Sequence, residues 1–273
     1  MNKLLLGRFF PGNSVIHRLD ARGKLLGGIS FIFITFLANH LLSLAFLWIF
    51  TFFIMKLSEV SFKIYFRGVR PLIWLILFTV TLQILFTAGG TIYFEWGPIT
   101  ISQFGLVNGF YIFSRFVMII LVTTVVTMTT KPLELTDAIY FCLKPLKIFR
   151  VPVEQISMML SIAIRFIPNL FDETQKIMDA QKARGAVFGE GNLFQQMKAL
   201  VPVFLPLFTN SLNRAEDLAD AMEVRGYQPS NPRTSFRQMH WSLRDTLSML
   251  VILMLTGILI LLNSISLHFL HIL

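Results

Sequence analysis

Hydrophobic residues run without charge through long stretches of the chain: residues 25–55, 71–94, 96–130 with Arg115 as the single charge, and 246–273. A helix needs about 20 apolar residues to cross the hydrocarbon core of a bilayer. Each of the last three stretches accommodates one span. The first is 31 residues, too long for one ordinary span and short for two. Asn39 and His40 lie near its middle and predict a turn between two short helices. Residues 88–103 hold no Lys or Arg, carry Glu95, and contain Gly89, Gly90 and Pro98. They read as an outer loop or a short hairpin.

The basic residues decide the topology. If 25–55 is a hairpin with the N-terminus inside, 23 of the 24 Lys and Arg fall on the inner side. If it is a single span, the best orientation places 18 inside. Cytoplasmic loops collect Lys and Arg, so the hairpin is favoured. The pattern therefore predicts an all-α integral protein of the inner (cytoplasmic) membrane. It has five membrane segments, N-terminus cytoplasmic and C-terminus outside. Arg115, near the middle of the fourth segment, costs about 3 kcal/mol on insertion scales. Burial against carbonyls or hydroxyls of the bundle is the simpler account of it; a contact to a partner or a polar path is the other.

Composition changes the picture in two ways. Charged residues are 14% and hydrophobic ones 55%, whereas a soluble domain carries about a quarter charged residues. The surplus apolar surface needs a lipid bilayer. The net charge of +9 is accounted for by topology, so no nucleic-acid partner is expected. The lone cysteine, Cys142, forms no intrachain disulfide and belongs to no metal-binding cluster. Residues 1–10 hold only a short apolar run before Pro11, Gly12, His17, Arg18 and Asp20, and do not read as a cleavable signal peptide. No cofactor is expected.

Residues 131–241 differ from the rest. They hold most of the acidic residues, 13 basic ones and repeated prolines. Apolar runs such as 156–164 and 200–212 are interrupted or bounded by Arg or Pro and are too short to span. They read as amphipathic helices, half apolar and half charged. The chain thus divides into an N-terminal membrane domain, 1–130, a cytoplasmic helical domain, 131–241, and a C-terminal membrane helix, 242–273.

Two of the amphipathic helices end alike. Asp179-Ala180-Gln181-Lys182-Ala183-Arg184-Gly185 and Asp220-Ala221-Met222-Glu223-Val224-Arg225-Gly226 both read D-A-x-x-x-R-G, offset by 41 residues. Glycine just past a helix supplies its left-handed cap, and Arg in the last turn suits the helix dipole. Those effects explain one such ending. They do not require Asp five residues before Arg, twice. A guanidinium at a rigid tip is shaped to fork onto a carboxylate, and two such tips suit two similar sockets.

The paired endings Ala183-Arg184-Gly185 and Val224-Arg225-Gly226, ahead of a last membrane helix, resemble the transmembrane T component (EcfT) of energy-coupling factor transporters. The run from Ser14 to Lys24, S-V-I-H-R-L-D-A-R-G-K, is similar to that family's approach to its first membrane helix, with Ala21 where proline is frequent. The resemblance covers nearly the whole chain. It implies a non-catalytic coupling subunit that joins two ABC-type ATPase subunits to a substrate-binding S component, itself a membrane protein. Vitamins or transition-metal ions would be the solutes. Ala183, Arg184, Gly185, Val224, Arg225 and Gly226 would dock the ATPases. Residues 132–149, 153–171 and 194–212 would offer apolar faces to the S component.

Other chemistry is thin. No G-x-x-x-x-G-K-[ST] phosphate cradle is present, so ATP hydrolysis is assigned to partner chains. His268 and His271 have no third ligand nearby and make a weak metal signal. Glu216, Asp217, Asp220 and Glu223 could hold magnesium in a membrane-embedded transferase, but no second Asp-rich motif accompanies them. A solvated helix face is the simpler reading. A self-sufficient secondary transporter would place paired ionisable groups at mid-membrane depth, where Arg115 has no acidic companion in any span.

Overall fold

The computed structural model describes residues 10–96, 99–228 and 240–270, the side chains of Trp96, Ile99 and residues 265–270 excepted. The N-terminal run 1–9, Pro98, the His268 side chain and His271 lie outside the described residues. By its contacts the chain forms two compact units. One holds residues 10–141 and 240–270, the other residues 142–228.

In the first unit, α1 (Ala21–Leu37) and α2 (Leu41–Leu57) are separated by residues 38–40, with Ala38 and His40 extended. The turn falls at Asn39 and His40, as their polarity within an apolar stretch predicts. Helix α3 (Phe62–Val69) leads to α4 (Ile73–Phe86), bent from it by 56°. Pro71 sits in the break, where a helix loses a donor. Strands β1 (Ile92–Trp96) and β2 (Ile99–Ser102) then pair antiparallel, with Glu95 opposite Thr100 and an irregularity between Ile92 and Phe94. Helix α5 (Gln103–Thr129) follows, its first turn capped by the Ser102 hydroxyl, which accepts from Gly105 N at 3.0 Å. Helix α6 (Pro132–Leu143) and a 3-10 turn (Lys144–Phe149) lead out of this unit, and α9 (Leu243–Leu270) returns to it.

The membrane segments are unequal. Helices α5 and α9 are long and apolar enough to cross a bilayer, and the bent pair α3–α4 reaches that length when counted as one span. The stretch 71–94 thus holds less helix than its uncharged length suggests: α4 is 14 residues, and residues 92–94 go to a strand. Helices α1 and α2 have 17 residues each. At 1.5 Å per residue each is roughly 25 Å long, short of the ~30 Å core.

Close packing holds these helices together. A Cβ on Gly27 would lie 2.8 Å from Ile252 Cδ1, and one on Gly28 would lie 3.2 Å from Val126 Cγ2, so α1 is pressed against α9 and α5. Small residues permit such approach where lipid supplies no hydrophobic drive between helices. Phe31, Ile34, Leu44, Leu47, Met118 and Leu259 form the buried centre of α1, α2, α5 and α9. A second cluster around Tyr65, Met55 and Val125 packs α2, α3 and α5. Hydroxyls inside the helices donate back one turn, as Thr35 does to Phe31 O at 2.7 Å and Thr51 to Leu47 O at 2.8 Å. No water is available there to satisfy them otherwise.

The second unit is built on α7 (Val153–Ala183) and α8 (Leu193–Val224), of 31 and 32 residues. Asn192 and Gln195 form a reciprocal capping box at the start of α8, which satisfies two orphan donors at once. Pro168 lies inside α7, and Pro202 and Pro206 inside α8; the helices continue through all three.

Candidate functional site

The paired tips are alike in backbone as well as in sequence. Arg184 is the C-cap of α7 and Arg225 the C-cap of α8. Gly185 N donates to Lys182 O at 2.9 Å and Ala186 N to Gln181 O at 3.0 Å. Gly226 N donates to Glu223 O at 2.8 Å and Tyr227 N to Met222 O at 2.9 Å. This is the same Schellman closure at the same register. Gly185 has φ of 90° and Gly226 of 72°, and a Cβ at either would meet nothing within 4 Å. Backbone conformation, and not crowding, therefore calls for glycine at both ends.

Ala183, Arg184, Gly185, Val224, Arg225 and Gly226 are all exposed, Val224 to 88%. Among the described residues neither guanidinium has an ion-pair partner. Each stands where the helix carbonyls end and the dipole is negative, which favours a cation there. Each is free to fork onto a carboxylate of another chain.

The two helices are joined at equivalent positions. Glu173 accepts from Asn210 Nδ2 at 2.6 Å and pairs with Arg214 at 3.4 Å. Glu173 and Arg214 are 41 residues apart, the repeat offset, and each lies 11 residues before its tip arginine. The repeat thus meets itself at one polar cross-link, and each tip stands about 16 Å of helix beyond it. The cross-link was not foreseen from the sequence, although the offset that places Glu173 opposite Arg214 was visible there.

Apolar faces remain uncovered in the same unit. Ile148 and Phe149 on the 3-10 turn, Met159 on α7, and Phe194, Met197 and Phe204 on α8 are exposed, Phe194 to 80%. Phe204 and Phe208 stack one turn apart, their ring centroids 6.2 Å from each other. A monomeric soluble surface seldom carries so much apolar area without a partner. Glu216, Asp217, Asp220 and Glu223 lie on the exposed face of α8. Among the described residues no group of three or more His, Cys, Asp or Glu is placed to hold a metal.

The N-terminal run builds the junction of the first unit. Asp20 caps α1, accepting from Arg22 N at 2.8 Å, and its own N donates to Asp245 Oδ1 at 2.7 Å. The other oxygen of Asp245 accepts from Ser242 N and from its hydroxyl, at 2.7 and 2.8 Å. Lys24 Nζ donates to Thr129 O at 2.8 Å and to His17 O at 3.1 Å. His17 bridges Ser14 and the Phe10 carbonyl. Arg22 pairs with Asp20 and lies over the rings of Phe141 and Trp241. Residues Ser14 to Lys24 thereby tie α1 to α5 and α9. Asp245, buried and central to this junction, was missed by sequence reasoning; its signal was an acid standing alone at the head of the last apolar stretch.

Arg115 is placed by the short first hairpin. Its Nη2 donates to Ala38 O at 2.7 Å and to Asn39 Oδ1 at 3.2 Å. From α9, Asn263 donates to Leu37 O at 2.5 Å and accepts from Ser43 at 3.2 Å. The carbonyls left over at the end of α1 are thus satisfied by side chains of α5 and α9. These bonds to a carbonyl and an amide of the first hairpin are of the kind the structural reading of Arg115 expects.

Comparison with known proteins agrees with this architecture. The family model for CbiQ, described as a cobalt transport protein, matches residues 12–236. The chain is 55% identical over 264 residues to the energy-coupling factor transporter transmembrane protein EcfT 1 of Listeria monocytogenes, covering 97% of this chain and 99% of the relative. It is 51% identical to EcfT of Lacticaseibacillus paracasei, covering 97% and 100% of the two chains. It is 43% identical to EcfT of Bacillus subtilis over the same shares. A family match across most of the chain, near full-length identity and a bundle of apolar helices lead to one conclusion: the chain belongs to the CbiQ/EcfT family, the transmembrane components of energy-coupling factor transporters.

Proposed function

We propose that this chain is the coupling subunit through which two ABC-type ATPases drive a substrate-binding S component for uptake of vitamins or other micronutrients. The observation that carries the reading is the pair of identical, exposed arginine caps, equidistant from one cross-link between their helices. Each of Arg184 and Arg225 enters an acidic groove on one ATPase subunit. ATP binding closes the ATPases and moves the two tips relative to each other. The apolar faces of α7 and α8 pass that motion to the S component, which reorients and releases its solute inside. The chain sits in the cytoplasmic membrane with its N-terminus and residues 131–241 on the cytoplasmic side. It has no catalytic residues of its own, and hydrolysis takes place in the partners.

The test is an affinity pull-down from solubilised native membranes, followed by ATP-driven uptake in liposomes. Two ATP-binding cassette proteins and a small hydrophobic membrane protein are expected to copurify. Arg184→Glu with Arg225→Glu should lose the ATPases and abolish uptake while the helical content is unchanged. Intact assembly and uptake in the double variant would overturn the docking role.

A further inference from the structure

The first unit carries a cavity that the coupling reading does not use. It has a volume of about 430 Å³ and lies among α1, α2, α5 and α9. Phe31, Val122 and Val125 line it from buried positions, while Val15, Phe53 and Leu247 line it from exposed ones, so it opens to the outside as a groove. Gly27 and Gly28 contribute no side chain to fill it. Its lining is almost wholly apolar except at one end, where Lys24, Arg244 and Ser248 stand. Lys24 lies in the first turn of α1, and Arg244 and Ser248 in the first two turns of α9, helix ends that the Asp20–Asp245 bond holds side by side.

Charge decides the occupant. An ammonium has three donors, and Lys24 spends two, on Thr129 O and His17 O. Arg244 is exposed. Three carboxylates, Glu134, Asp20 and Asp245, act on Lys24 and offset its charge, while Arg244 has no ion-pair partner among the described residues. The uncompensated cation at that end is therefore Arg244, and the rest of the lining is apolar, as acyl chains are. Basic pockets between membrane helices are known settings for anionic headgroups. The volume is in the range of small-molecule sites.

We infer that this groove is a binding site for an anionic glycerophospholipid, one acyl chain lying along α1 and α9 and the phosphate held at the mouth by the exposed Arg244. The lipid wedges the base of the short α1–α2 hairpin against α9. The inference rests on the membrane-spanning character of the chain and is independent of the docking of ATPases.

The test reads lipid on the full chain alone. The chain is purified in detergent, exchanged with an equimolar mixture of phosphatidylglycerol and phosphatidylcholine of matched acyl chains, and analysed by native mass spectrometry. One tightly held lipid per chain is expected, with phosphatidylglycerol favoured about fivefold, the worth of one basic side chain near a headgroup. Arg244→Gln should abolish the preference, and Arg244→Lys should keep it. Val251→Trp, which fills the groove from α9 and leaves the Asp20–Asp245 junction untouched, should lose retention of both lipids. Equal retention in the parent chain, a preference unchanged in Arg244→Gln, or undiminished retention in Val251→Trp would each overturn the inference. A photo-crosslinker at Leu247 that captures protein in place of phospholipid would do the same.

Discussion

Single residues in this chain act mainly on backbone groups that a bilayer leaves without water. Asp245 is the strongest case, since one buried carboxylate serves the start of α1 and the start of α9. Asp245→Ala orphans the Asp20 N–H, which costs about 2 kcal/mol. The thermal transition in detergent should fall by about 5 °C. Arg115→Met leaves the Ala38 carbonyl bare and should destabilise by a similar amount, about 1–3 kcal/mol, with no loss of ATPase binding. At the tips, Gly185→Ala and Gly226→Ala force alanine into a left-handed conformation at about 1 kcal/mol each, although both sites have room for the methyl. ATPase affinity should weaken while each arginine remains. The glycines and arginines of the tips were legible in the sequence because capping is local. Asp245 and Arg115 were not assigned partners there, because those partners lie 225 and 77 residues away.

At the scale of elements, the break at Asn39 and His40 and the two long amphipathic helices could be read from periodicity and polarity. The split of the 71–94 stretch into a 14-residue helix and a strand could not, since hydropathy alone does not distinguish an apolar helix from an apolar strand. Nor did the prolines end their helices. Pro168, Pro202 and Pro206 each remove a helical N–H donor, yet α7 and α8 run on. The Glu173–Arg214 link holds those helices to each other. A double-mutant cycle with Glu173→Ala and Arg214→Ala should give a coupling of about 1 kcal/mol. Because the two positions are equivalent in the repeat, the exchange Glu173→Arg with Arg214→Glu should recover much of what either change alone loses.

For the whole molecule, the sorting of basic residues predicts one sidedness, and Cys142 provides a direct reading of it. The thiol is the chain's only one and is partly buried, and burial pushes its pKa up. The thiolate is the reactive form, so maleimide labelling should be slow at neutral pH and accelerate as the pH passes the usual thiol range. With residues 131–241 cytoplasmic, inverted vesicles should label at mildly alkaline pH and right-side-out vesicles should not; the reverse pattern would invert the assigned topology. The equal arms beyond the Glu173–Arg214 link have a further consequence, one of phase. Each residue of an α-helix turns the chain by about 100°. One residue inserted between the link and a single tip would rotate that guanidinium to another side of its helix while its partner stayed in place. Four inserted residues would bring it back nearly into phase, about 6 Å farther out. Insertions of one and four residues in α8 should therefore separate the direction of an arginine from its reach: the first abolishes docking of one ATPase, and the second weakens it.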